Sequence, residues 1–119
     1  MTRPLPDAHF DELVAQALDD LPEELGRLMQ NVQVTVSVEP RKDPDGRTLL
    51  GLYEGIPLVS RGNDYAGVLP DKITLFKTNI ESVARTSEEV ADIVKKTVIH
   101  EVAHHFGIDD PRLEELGWA

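Results

Sequence analysis

The stretch His100-Glu101-Val102-Ala103-His104-His105-Phe106-Gly107-Ile108-Asp109-Asp110 reads as a metal-binding helix followed by a tight turn. Residues i and i+4 stack on one face of a helix, so His100 and His104 can each offer a ring nitrogen to one ion. Zinc accepts such a pair and leaves room in its tetrahedral shell for a carboxylate and a water. Glu101 leans to the side where that water would sit, which is the position of a general base and not of a ligand. Gly107 falls where the helix must stop, because a residue without a Cβ takes the left-handed conformation at little cost. The chain can then fold back and offer Asp110 as a third ligand, leaving one coordination position open. Asp109 is the competing carboxylate, and its offset from His104 fits less well. His105 projects away from the His100/His104 face, toward Val94 and Val98, and reads as a hydrogen-bonded histidine of the packed side. Pro111 bars the helix from continuing.

The pattern HExxHxxGxxD formed by His100, Glu101, His104, Gly107 and Asp110 resembles that of zincin metallopeptidases with aspartate as third ligand. Together with the Gly51-Leu52-Tyr53-Glu54-Gly55-Ile56-Pro57-Leu58 stretch and the late position of the motif, it resembles a family of small bacterial zincin-like metallopeptidases. A bare HExxH arises by chance in unrelated proteins, so the specificity lies in the added Gly107 and Asp110. The resemblance implies a minimal zincin-like domain with one Zn2+ per chain, a peptide or protein substrate, and metal-activated water with Glu101 as general base. In zincins the strand bordering the cleft pairs with extended substrate, and Lys72-Ile73-Thr74-Leu75-Phe76-Lys77, shortly before the metal helix, is the candidate for that edge. Many zincins support the metal from below with a methionine-containing turn after the motif. Met1 and Met29 both lie upstream here, so Trp118 in the tail is the candidate to pack under the ligands, or else simply to cover the core.

Two other readings come from the same residues. The spacing His-x3-His-x5-Asp also resembles the three-histidine signature of small bacterial ribosomal-RNA maturation endoribonucleases, with Asp110 in place of the third histidine. A metal-binding or interaction module that keeps the site without turnover is the other. The formal net charge of −10 repels phosphate backbones and weighs against nucleic acid as a partner.

At 119 residues, 40% hydrophobic and 29% charged, the chain is expected to form one globular domain, residues 1–119, with a shallow cleft. Few residues follow the motif, so enclosing a substrate would fall to a partner, a second copy in a homodimer, or the substrate itself. There is no cysteine for a disulfide or thiolate site. Neither an apolar secretory core at the start nor a run long enough to span a bilayer is seen, and a cytoplasmic location is expected.

The rest of the pattern predicts an α+β domain with N-terminal helices, a small mixed or antiparallel sheet and a C-terminal metal-binding helix. Phe10, Leu13, Val14, Ala17, Leu18 and Leu21 follow one helix face, with His9 at its start as a surface histidine. Glu23 to Gln30, after Pro22, reads as a short second helix. Val32 to Glu39 alternates apolar and polar and predicts a strand with one face on the core. Thr48 to Tyr53 predicts a second strand, Pro57 to Asp64 an irregular segment, and Lys72 to Lys77 a third strand. Asn79 to Arg85 reads as a loop. Thr86-Ser87-Glu88-Glu89 then has the form that caps a helix start, and the metal helix begins there. Its last turns, with Ile99, Ala103 and Phe106 added to the apolar side, are expected to enter the core and hold the ligands rigidly.

Overall fold

A computed structural model describes residues 5–55 and 71–118. The segment expected to be irregular, Pro57 to Asp64, and the Ile56-Pro57-Leu58 end of the resembled stretch lie outside the described residues. The elements in chain order are helices α1 (Asp7–Asp19) and α2 (Glu23–Leu28), strands β1 (Val32–Ser37), β2 (Gly51–Glu54) and β3 (Asp71–Phe76), and helices α3 (Lys77–Val83), α4 (Ser87–His105) and α5 (Asp110–Leu116). This is the expected α+β class, with a mixed sheet. β3 runs parallel to β1 and antiparallel to β2, with Ile73 opposite both Val34 and Tyr53.

Apolar periodicity decides what meets at the centre. Phe10, Leu13, Val14 and Ala17 form the buried face of α1, and Val90, Val94, Val98 and Val102 the fully buried stripe of α4. These two helices pack together over Ile73 and Leu75 of β3, with Leu25 and Leu113 closing the core. α4 also lies directly on β2. A Cβ at Gly51 would come within 2.6 Å of the Thr97 Cγ2 methyl, so glycine there lets strand and helix approach closely.

The sheet order corrects the expectation for Lys72 to Lys77. β3 is the central strand, paired on both sides, and not an edge. Ile73 and Leu75 are completely buried, a degree of burial that a middle strand supplies. Lys77 leaves the strand altogether. It begins α3, is itself buried, and forms an ion pair with Glu81 at 3.2 Å. The segment from Asn79 expected to be a loop is mostly this helix, because tertiary bonds replace the missing apolar period: Asn79 Nδ2 donates to the carbonyls of Arg41 and Leu49, both at 2.7 Å. That grip also fixes the approach to β2. β1 meets its expectation only in part, since Val36 and Val38 remain 37% and 61% exposed beside α1.

α4 starts as its sequence requires, with the Thr86 hydroxyl accepting from the Glu89 amide at 3.2 Å. Its end is a Schellman turn: Gly107 takes φ +81, Ile108 N–H donates to the Ala103 carbonyl at 2.8 Å, and Gly107 N–H to His104 at 3.1 Å. The last turn does not enter the core as expected. Val102 and Ala103 are buried, but Phe106 is 44% exposed and His104 is exposed, while His105 lies against β2 and stays partly open to solvent. Asp109 then caps α5 by accepting from the Arg112 amide at 3.1 Å, and Pro111 sits in the first turn of that new helix.

Candidate metal centre

His100 and His104 sit one turn apart on the same side of α4, ring centroids 5.8 Å apart. The Schellman turn brings Asp110 back to them, and its Oδ1 lies 3.0 Å from His104 Nε2. Two donor atoms sharing a tetrahedral zinc stand roughly 3.3 Å apart, given bonds of about 2.0–2.1 Å. The His104–Asp110 contact is a direct hydrogen bond only slightly shorter than that, and a two-imidazole, one-carboxylate donor set suits zinc. Among the described residues, no three His, Asp or Glu side chains are already gathered into a closed metal cage. His104 and Asp110 meet each other directly, with the His100 ring one turn away. Asp109 is engaged at the α5 cap instead.

Glu101 points elsewhere, toward the sheet. Its Oε1 accepts a hydrogen bond from the Tyr53 backbone N–H of β2 at 3.1 Å. An alternate residue of a strand points its N–H to one edge, so this amide belongs to the side of β2 turned away from β3. Beside His100 lies a shallow, mainly apolar hollow lined by Leu50, Ile93, Lys96 and Thr97. Trp118 does not reach this region. It packs on the core at the α1–α2 corner, next to Pro22, Lys95 and Ile99, a neighbouring stripe of α4. Of the two roles open to it, covering the core is the one the structure has. A Schellman turn at Gly117, with the Trp118 amide on the Leu113 carbonyl at 2.9 Å, directs it there.

Two residues that the sequence did not single out for the site meet beside His105: Tyr53, which also contacts Glu101, and Asp71. The Tyr53 hydroxyl donates to Asp71 Oδ2 at 2.7 Å, and the Tyr53 ring stacks on His105 at 3.9 Å with 20° between the planes. Burial first, then the hydrogen bond to Asp71 and the Asp71 charge, push the Tyr53 phenol well above its usual range. It stays protonated and serves as a donor. His105 lies toward β2, the direction the spacing suggested, but it is partly exposed and its contacts there are the Tyr53 ring and Asp71 Oδ2 at 3.8 Å. Its partner was not readable, because β2 and α4 are far apart in the chain.

The α+β fold is that of a minimal zincin-like domain, and its last long helix carries two histidines with a glutamate between them and an aspartate returning to the second. Residues 29–118 match the model of the zincin-like metallopeptidase family, and the chain belongs to that family. Membership implies a zinc cofactor and peptide substrates. The chain is also similar to the solved structure of a conserved hypothetical protein from Thermo thermophilus, with 27% identity over 94% of this chain and 97% of that one and a TM-score of 0.56. A search of curated proteins finds no match. No described helix is long and apolar enough to cross a membrane.

Proposed function

We propose that the protein is a zinc-dependent peptidase in which His100, His104 and Asp110 hold one metal ion and Glu101 is the general base. The observation that carries this reading is the return of Asp110 to within 3.0 Å of His104, on the helix that also bears His100 and Glu101. When bound, zinc lowers the pKa of a coordinated water toward neutrality and polarises the scissile carbonyl. Glu101 takes a proton from the attacking water and passes it to the departing amine nitrogen, so the carboxylate ends ionised as it began. The Tyr53 amide holds the carboxylate at the edge of β2 that faces away from β3 and, among the described residues, has no strand partner. That edge, and not β3, is the sheet border next to the general base. The outward setting of His104 and Asp110, 50% and 69% exposed at their side chains, leaves access for a long and unfolded substrate. The acidic charge of the chain favours this reading over cleavage of RNA.

The test is digestion of an unstructured polypeptide such as reduced, alkylated casein. Zinc-loaded protein should cleave it, a strong chelator should stop cleavage, and added zinc should restore it. Intact polypeptide after prolonged incubation with the zinc-loaded form would favour a metal-binding module without turnover.

A further inference from the structure

We propose that Tyr53, Asp71 and His105 act together as a clamp that fixes β2 on the metal helix and thereby sets the direction of the Glu101 carboxylate. This rests on the reading of Glu101 as the general base. Glu101 and His105 are one helical turn apart on the side of α4 that faces the sheet, and Tyr53 touches both: its N–H binds Glu101 Oε1 at 3.1 Å and its ring stacks on His105 at 3.9 Å. The third corner is Asp71, at the start of the central strand. Its Oδ2 accepts from the Tyr53 hydroxyl at 2.7 Å and lies 3.8 Å from His105 Nε2. The Asp71 main chain is itself anchored, its amide donating to the Asn31 carbonyl at 2.9 Å. The chain beyond Tyr53 is drawn in as well, since a Cβ on Gly55 would lie 3.2 Å from His105 Cε1.

The geometry explains why such a clamp is needed. β2 is only four residues long and, among the described residues, pairs with β3 alone. A short outer strand frays unless side chains hold it. At its Gly51 end it is pressed on Thr97, with the Leu50 carbonyl bound by the Phe76 amide at 3.0 Å. At the Glu54 end the described contacts are the Lys72–Glu54 ion pair at 4.0 Å, half exposed, and the Tyr53–Asp71–His105 cluster. A glutamate side chain has several rotatable bonds, and its carboxylate takes one direction only if a fixed donor receives it. The Tyr53 amide is that donor. His105 and Asp71 are therefore positioning residues, acting on Glu101 through the strand.

His105→Ala and Asp71→Ala should free the Tyr53 amide. In nuclear magnetic resonance spectra of the zinc-loaded protein, its proton should move upfield and exchange with solvent roughly tenfold faster, with zinc content as in the wild type. On the polypeptide substrate kcat should fall about tenfold or more at unchanged KM. His105→Phe keeps a ring for Tyr53 to stack on and should recover most of both effects. A Tyr53 amide with wild-type shift and exchange in both alanine variants would overturn the clamp, and so would a freed amide accompanied by wild-type kcat. A wild-type protein that cleaves nothing speaks against the function proposed above and leaves the clamp to be decided by the amide alone.

Discussion

Glu101→Gln is expected to keep its zinc and lose its hydrolysis, with kcat falling by about 10²- to 10⁴-fold, the range that a positioned general base contributes. The amide of glutamine is close in size to the carboxylate and can still accept from the Tyr53 N–H through its oxygen, so the strand contact at 3.1 Å has no reason to open. What disappears is the capacity to take a proton from water. Glu101 stands apart from the His104–Asp110 pair and faces β2, so metal content should not change. Parallel assays of zinc content and casein cleavage read the two effects separately. Undiminished turnover in the glutamine variant would remove Glu101 from the chemistry.

His100→Ala and His104→Ala should each lower zinc affinity by more than about 100-fold, exceeding the 10- to 100-fold typical of residues that only support a ligand. In the proposed site each removes one of three protein donors. Neither change should unfold the domain. His104 is half exposed and alanine is the strongest helix former, so circular dichroism should be near that of the wild type. Asp110→Ala should behave like the histidine variants. Asp109→Ala should instead keep zinc and weaken the start of α5 by about 1 kcal/mol, the usual worth of such a cap. Competition with a chromophoric chelator measures all four. Loss of zinc on replacing Asp109 but not Asp110 would exchange their roles.

What the sequence made legible was local. The helix start at Thr86 and the turn at Gly107 follow from spacing along a few residues, where capping and left-handed glycine geometry decide the outcome. The fold class was readable for the same reason, since α1, α4 and β3 each carry a clear apolar period. The order of the strands was not. An alternating stretch such as Lys72 to Phe76 is compatible with an edge or a centre, and pairing across long loops chose the centre. α3 was hidden because a buried Lys77–Glu81 pair and the two bonds of Asn79 stand in for an apolar face. The outward final turn of α4 was missed because Phe106 fits an apolar stripe that in fact ends at Ala103. Tyr53 and Asp71 carried no signal of their own beyond the resembled stretch around Tyr53. Their meaning comes from contacts with Glu101 and His105 that only the folded chain creates.

The central claim is that one zinc ion is held by two imidazoles and one carboxylate, and X-ray absorption spectroscopy of the zinc-loaded wild type tests it most directly. The account predicts a first shell of light atoms at about 2.0–2.1 Å, the distances of nitrogen and oxygen donors, with the outer-shell scattering of two histidine rings. A shell with no imidazole scattering, or with three rings, would contradict it.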